Sequence, residues 1–344
     1  MKSYHVNLGA GIAGLRMREH DMPVPGSHEV LVRVRACSLS FRELMILILG
    51  YYPLPVRPDV IPVSDGAGEV KAVGEGVTRA KVGDRIVGAV FPYWIDGPFE
   101  MQYAAQLGGS LDGMLTEIAV LNEEALVPIP DHLSFEEAAT LPIAAVTAWN
   151  ALTGSRPLQA GDTVLTLGSG GVSLFALQLA KLFGARVIAT TSSEEKAQRL
   201  KALGADDVLN YRTTPEWHVA VRELTGGQGV DQVIEVGGPG TIVQSIKSTR
   251  YSGEIALIGS LAREATPMSE TSALTVLRCA IAGVVTLRSI AAGSRAQFLA
   301  LTRAIALHRL KPVIDRVFPF EEAQAAYQYY QEAQPFGKVI ISHR

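Results

Sequence analysis

From Gly161 to Thr190 the chain reads GDTVLTLGSGGVSLFALQLAKLFGARVIAT: a Gly-Asp turn, a short apolar run, a glycine loop, a helix pattern and a second β-branched run. Short β-branched runs alternating with an amphipathic helix fit strands of a parallel sheet joined by a helical crossover. Val172, Phe175, Ala176, Leu179, Leu182 and Phe183 recur at i, i+3, i+4 spacing, which predicts one apolar face lying on a sheet. Gly184 is placed to end that helix as a C-cap glycine does. The loop spells G-x-G-x-x-S, with Ser173 where a dinucleotide fingerprint has its third glycine, and serine is small enough for the close helix–strand packing needed there.

An unbroken G-x-G-x-x-G occurs earlier, at Gly9, Gly11 and Gly14 within LGAGIAGLR. Its context is wrong for a pyrophosphate site. The run before it is polar at Lys2, Ser3, His5 and Asn7, and Pro23 and Pro25 cut off any helix after it within about two turns. A glycine-rich turn or strand end is expected at residues 9–14, and the cofactor site at Ser169, Gly170, Gly171 and Val172.

The alternation continues through DDVLNY, VDQVIEV and GEIALIGS with amphipathic segments between them, as in a doubly wound parallel sheet. The first 120 residues instead carry short strand patterns, HEVLVRVRACSL, GAGEVKAVG, GDRIVGAV and GMLTEIAVL, parted by Gly and Pro turns. A chain of 344 residues is longer than one compact core usually holds, so two domains are expected. A net charge of −3 speaks against nucleic-acid binding, and LMILIL, Leu44 to Leu49, is far shorter than the ~20 residues that span a bilayer. No signal-peptide core is seen, so a cytoplasmic address is expected. The two cysteines, Cys37 and Cys279, make no disulfide framework, and Cys37 reads as a small buried strand residue.

Ile61–Gly88 (IPVSDGAGEVKAVGEGVTRAKVGDRIVG), Gly161–Ser173 and Gln228–Gly238 together resemble the medium-chain dehydrogenase/reductases, closest to their zinc-independent quinone-oxidoreductase-like branch. The resemblance implies an α/β fold in which a Rossmann doubly wound parallel sheet is inserted in a β-rich GroES-like catalytic domain. The boundaries expected are 1–124 with 295–344 for the catalytic domain and 125–294 for the cofactor domain. Zinc-dependent relatives place a ligand cysteine at the position of Ser40 and a His-Glu pair at Ser64-Asp65. A catalytic zinc needs three ligands from Cys, His or carboxylate, so no metal is expected here.

NAD-specific sheets usually place an acidic residue about 20 residues beyond the glycine loop. Here the strand ends IATTSSEEK, with Thr190, Thr191, Ser192 and Ser193 neutral; Glu194 and Glu195 are the rival reading, and Ser192 with Glu195 has the capping-box spacing that would turn that glutamate back onto its own helix end. The resemblance matches Lys196 and Tyr211 to positions contacting the 2′-phosphate in NADPH-using relatives, so NADP is expected, with NAD the alternative. It likewise matches Thr147 to a residue near the nicotinamide, and Gly237 and Gly259 to loops after later strands. Without a metal or an evident base, reducing an enone or quinone asks less of the protein than oxidising an alcohol. Tyr52 matches a tyrosine lining the active site in this branch, with Tyr51 its competitor. Ser40, where relatives of this branch usually carry an asparagine, is the second catalytic candidate. Alcohol or aldehyde turnover, or cofactor binding with incidental turnover, are the alternatives. The partners expected are a small-molecule substrate and a second copy of the chain, in a homodimer or dimer-based oligomer, with the run Cys279–Ile290 read as a sheet-edge strand.

Overall fold

The computed structural model describes residues 1–50, 52–259 and 273–343. The chain divides into two compact units, Met1–Val146 with Gly293–Arg344, and Thr147–Ala292. Residues 125–146, placed with the cofactor domain on sequence grounds, belong by their contacts to the first unit.

In the first unit, β1 (Lys2–Val6) and β2 (Leu15–Glu19) form an antiparallel hairpin. The unbroken glycine motif is its connection: Gly9 and Gly11 adopt φ of 72° and 67°, and only a single 3-10 turn, Ile12–Gly14, follows. A left-handed turn between antiparallel strands offers no helix N-terminus to a phosphate. The main sheet contains β3 (Glu29–Ser38), β4 (Asp65–Val73), β5 (Arg85–Gly88), β6 (Ile118–Asn122) and β7 (Leu126–Pro128).

The second unit carries β8 (Thr163–Leu167), β9 (Arg186–Thr191), β10 (Asp207–Asn210), β11 (Val230–Glu235), β12 (Thr249–Leu257) and β13 (Thr286–Ser289). All pair in parallel, in the order β10-β9-β8-β11-β12-β13. That order reverses direction between β8 and β11, the crevice where doubly wound sheets bind nucleotides. The helix after β8, Gly171–Leu182, buries Ser173, Leu174, Phe175, Ala176, Leu177, Leu179 and Ala180, while Leu182 is 37% exposed. Its buried face is therefore wider and set further toward the N-terminus than the i, i+3, i+4 pattern indicated. Gly184 follows at φ 77°, as expected of a residue just past a helix end.

The run Cys279–Ile290 needs correction. Its first part belongs to the helix Ala273–Gly283, and only Thr286–Ser289 forms a strand, at the sheet's edge. Helix–strand ambiguity is usual for short apolar runs, and Ala280 and Ala282 favour the helix. Among the described residues no helix is long and apolar enough to cross a membrane.

The chain then returns to the first unit, where β14 (Ile314–Pro319) pairs with β15 (Lys338–Ser342) and β15 pairs antiparallel with β3. The last strand thus completes the sheet begun by the first third of the chain. One core joins them, with Val32, Val34, Cys37, Leu39, Leu121, Phe318, Val339 and Ile341 all buried.

Candidate active site

Three neighbouring interior strands of the first unit, β15, β3 and β4, have ends that meet at one end of its sheet. Ser38 closes β3 opposite Asp65, which opens β4, and opposite Ile340 of β15. Ser40 lies two residues beyond β3 and Lys338 opens β15, so register alone brings Ser40, Asp65 and Lys338 together. The Lys338 ammonium donates to the Leu39 carbonyl at 2.7 Å, to Ser40 Oγ at 2.8 Å and to Asp65 Oδ2 at 3.1 Å. An ammonium has three N–H donors, and all three are used. Ser40 Oγ in turn donates to Asp65 Oδ2 at 3.1 Å. Ser40 precedes the short helix Phe41–Leu44 yet makes no capping bond, because its hydroxyl is engaged by the lysine and the aspartate. Burial pushes the Asp65 carboxyl above the usual carboxylate range, and the Lys338 ammonium pulls against that rise.

A second layer holds this end of the sheet. Glu43, fully buried, accepts from the backbone N–H groups of Val63 at 3.2 Å and Ser64 at 3.3 Å, and pairs with Arg42 at 2.7 Å. Val63 takes φ of 69°, rare for a β-branched residue, with its N–H given to the Glu43 carboxylate and its carbonyl accepting from the Met114 N–H at 2.7 Å. The Ser64 hydroxyl lies between Glu43 Oε1 at 3.3 Å and Asp65 Oδ1 at 3.4 Å. The Arg42 guanidinium stacks 5.1 Å from the centre of the Tyr52 ring. Burial pushes the Tyr52 phenol above its ordinary value, so it remains a proton-bearing donor at neutral pH. Tyr51 lies outside the described residues. Cys37 donates its thiol to the Met114 carbonyl and burial pushes that thiol well up, so it behaves as an inert core residue.

In the second unit, β8 runs into the glycine loop and the helix begins at Gly171 with Gly170 as its N-cap. Gly168 has φ 71°, and a Cβ built on Gly168 or Gly170 would meet nothing within 4 Å, so the space over this loop is open to a ligand. The Ser173 hydroxyl donates to the Leu167 carbonyl at 2.6 Å, which ties the helix to the strand where a third glycine would only allow close approach. Ser169 is buried and Val172 half-buried in the same turn. The first N–H groups of a helix lack internal partners and favour anions, so this loop fits a pyrophosphate.

At the end of β9, Thr191 and Asn210 are opposed, and the Tyr211 N–H donates to the Thr191 carbonyl at 2.9 Å. The Thr191 hydroxyl is buried with no hydrogen-bond partner among the described residues. The helix cap is one residue later than the S-x-x-E spacing implied. Ser193, not Ser192, caps Glu194–Ala202, accepting from the Lys196 N–H at 3.3 Å, because both serines are still outside the helix. Lys196, rather than Glu195, therefore occupies the third helical position. The Glu194 carboxylate accepts from the Asn210 amide at 2.8 Å, so this rival acidic group is already engaged. Ser192, Lys196 and 41%-exposed Tyr211 thus gather at the ends of β9 and β10.

Glu235, at the end of β11, is not signalled by any motif in the sequence. Wholly buried, it accepts from the N–H groups of Gly237 at 2.7 Å and Gly238 at 2.8 Å, from the Thr241 hydroxyl at 2.6 Å and from the Ser245 hydroxyl. A Cβ on Gly237 would fall 2.3 Å from Thr241 Oγ1, and one on Gly259 2.6 Å from the Val236 carbonyl, so both glycines are required by close approach. Thr147 is buried in the first turn of the helix Val146–Thr153.

Residues 26–131 match the family model for the alcohol dehydrogenase GroES-like domain, and residues 171–306 that for zinc-binding dehydrogenase. A zinc-type alcohol dehydrogenase-like protein of Schizosaccharomyces pombe is 43% identical over 338 residues, 96% of each chain. The chloroplastic quinone-oxidoreductase QR1 of Triphysaria versicolor is 32% identical over 343 residues, 97% of this chain and 95% of that one. This chain is a medium-chain dehydrogenase/reductase of the quinone-oxidoreductase-like branch. Among solved structures, an NAD-dependent alcohol dehydrogenase superposes with a TM-score of 0.86 at 34% identity, covering 99% of both chains. A mycobacterial protein complexed with NADPH gives 0.82 at 28%, covering 99% of this chain and 100% of the other. The medium-chain enzyme described here is accordingly an oxidoreductase that uses a nicotinamide cofactor.

The zinc suggested by the family's name fits these residues poorly. Ser40 and Ser64 are hydroxyls, Asp65 is already bonded to an ammonium, and the neighbouring Glu43 to the Arg42 guanidinium. Catalytic zinc takes three ligands from Cys, His and carboxylate. Among the described residues no group of three or more His, Cys, Asp or Glu is placed to hold a metal ion.

Proposed function

We propose that the protein is a zinc-independent, NADP(H)-dependent reductase of a small enone or quinone. The observation that carries this reading is the Lys338 ammonium bonded to Ser40 and Asp65, which leaves no donor set for a Lewis acid that would lower an alcohol's pKa. Reduction needs no such group. Bound NADPH supplies a hydride to an activated C=C bond, and the chain has only to bind, orient and meet the negative charge that develops on the conjugated oxygen. The protonated Tyr52 phenol is a donor suited to that charge.

Preference for NADPH is supported by the neutral end of β9, by the engagement of Glu194 and by the position of Lys196 and Tyr211 just beyond the paired ends of β9 and β10. NADPH is expected to bind at least tenfold tighter than NADH, about 1.4 kcal/mol, which one lysine–phosphate contact supplies. Lys196→Ala should weaken NADPH and leave NADH unchanged in a fluorescence titration; equal losses for both cofactors would show that this lysine does not read the phosphate. The reaction itself is tested by following NADPH consumption with a panel of enones, quinones and aldehydes. Turnover confined to aldehydes would select an alcohol dehydrogenase instead, and tight binding without any turnover a cofactor-binding protein.

Zinc independence has its own check. Activity and thermal stability should survive overnight dialysis against a strong chelator, and elemental analysis should find well under one zinc per chain. A stoichiometric metal, or loss of fold on chelation, would overturn the assignment.

A further inference from the structure

Of the three residues in the buried network, Asp65 is fully closed off and Lys338 is 3% exposed, whereas Ser40 retains 7%. Ser40 is thus the member of the network with the most remaining exposure, and its hydroxyl is the group whose proton can turn toward a ligand. The Ser40 hydroxyl has one proton, now given to Asp65 Oδ2, and its oxygen receives an N–H from Lys338. If the hydroxyl turns from Asp65 toward a ligand, Asp65 Oδ2 keeps its bond from Lys338, so the turn leaves no carboxylate unpaired. Throughout that turn the ammonium still donates to Ser40 Oγ, which draws electron density from the O–H bond and makes it a stronger donor, as hydrogen bonds in series do.

We propose that Lys338 is a positioning residue that acts through Ser40: it polarises the Ser40 hydroxyl and frees it to donate to the oxygen on which negative charge develops during reduction. The inference rests on the reading of the protein as an enone or quinone reductase. In that reaction with an enone a hydride adds to the carbon β to the carbonyl, the C=C pair becomes the enolate C=C as the C=O pair moves onto oxygen, and solvent later supplies the proton to the α carbon; with a quinone the two electrons likewise leave charge on oxygen, and solvent protonates the oxygens to give the hydroquinone. Ser40 stabilises the intermediate charge without being consumed. The other titratable groups that feel Asp65, Glu43, Cys37 and Tyr330, leave the assignment intact, the Cys37 thiol being kept protonated by burial and bonded to the Met114 carbonyl. Glu43 is held by Arg42, Val63 and Ser64, and burial keeps the Tyr330 phenol protonated.

The test is a double-variant cycle on the full-length protein with NADP(H) present. Lys338→Met alone would strand a buried carboxylate, so it is combined with Asp65→Leu, an apolar replacement of similar size for the other charge. Ser40→Ala and the pair Lys338→Met/Asp65→Leu should each lower kcat about tenfold or more, with the dissociation constant for NADPH within about twofold of the parent. If Lys338 works through Ser40, the triple variant should be no slower than Ser40→Ala alone. Parental kcat in the folded pair, or losses that multiply in the triple variant, would overturn the proposal.

A second readout does not depend on turnover. 4-Nitrophenolate, an oxyanion probe with a visible absorbance, should bind the NADP⁺ complex about fivefold more weakly in Ser40→Ala and in the pair, and again no worse in the triple variant. Should the parent protein reduce no enone or quinone while this cycle holds, the reductase reading fails and the role of Lys338 stands. Enone or quinone turnover with a flat cycle in both measurements does the opposite: the protein is a reductase, and Lys338 does not act through Ser40.

Discussion

Glu235→Ala is expected to lower the stability of the cofactor-binding unit by about 3 kcal/mol or more, which at roughly 2–4 °C per kcal/mol is a fall of roughly 6–12 °C in its melting temperature. The carboxylate accepts four hydrogen bonds, from two backbone N–H groups and two hydroxyls, and removing it leaves the donors of the Gly237–Thr241 turn facing a hole they cannot fill. Stranded buried donors cost more than an average hydrogen bond contributes. The turn lies beside the point where the strand order reverses, so NADPH binding should weaken with it. Glu235→Gln is the informative contrast. Its amide oxygen can still accept from Gly237, Gly238 and Thr241, while its NH₂ replaces the other oxygen and donates to Ser245, whose hydroxyl can turn to accept. The glutamine variant should therefore lose about 1 kcal/mol. Calorimetry that places the alanine variant within about 2 °C of the parent, less than 1 kcal/mol on that scale, would show that the turn does not depend on this residue.

What can be read from the sequence is mostly local. The strand, loop and helix from Thr163 to Leu182 are contiguous, so turn chemistry and apolar spacing find a strand–loop–helix unit there and not at the better-spelled motif at Gly9. Near misses come where two neighbours compete for one role, as when Ser193 rather than Ser192 caps a helix that both could start. The run Cys279–Ile290 misleads because an apolar stretch carries no periodicity that separates a buried strand from a helix end. Glu235 belongs to no motif and has only a faint signal, an acidic residue set inside the apolar end of VDQVIEV shortly before two glycines and the hydroxyls of Thr241 and Ser245. Lys338 has only its odd position, a lysine opening the apolar run KVIIS. Its partner Asp65 is 273 residues away, and only the pairing of β15 with β3 and of β3 with β4 brings the two together.

That long-range pairing makes Lys338→Met the second large effect, with an expected loss of about 3–5 kcal/mol at neutral pH, because a buried carboxylate left without its counter-ion costs far more than the intact pair contributes. The loss should depend on pH with a definite sign. Burial already holds the Asp65 carboxyl above its ordinary value against the pull of Lys338, and removing that pull raises it further. A carboxyl whose folded-state value lies above its unfolded-state value binds more protons when folded, so the variant loses stability as pH rises through that interval and regains it as pH falls. Urea unfolding should therefore find Lys338→Met nearer to the parent at about pH 5 than at about pH 8. Adding Asp65→Leu should return most of the stability and flatten the pH dependence, since both charges are then gone and the apolar side chains are similar in volume. If Lys338→Met were equally destabilised at both pH values, the loss would come from the vacated bond to the Leu39 carbonyl and from packing, and the pair with Asp65 would contribute little.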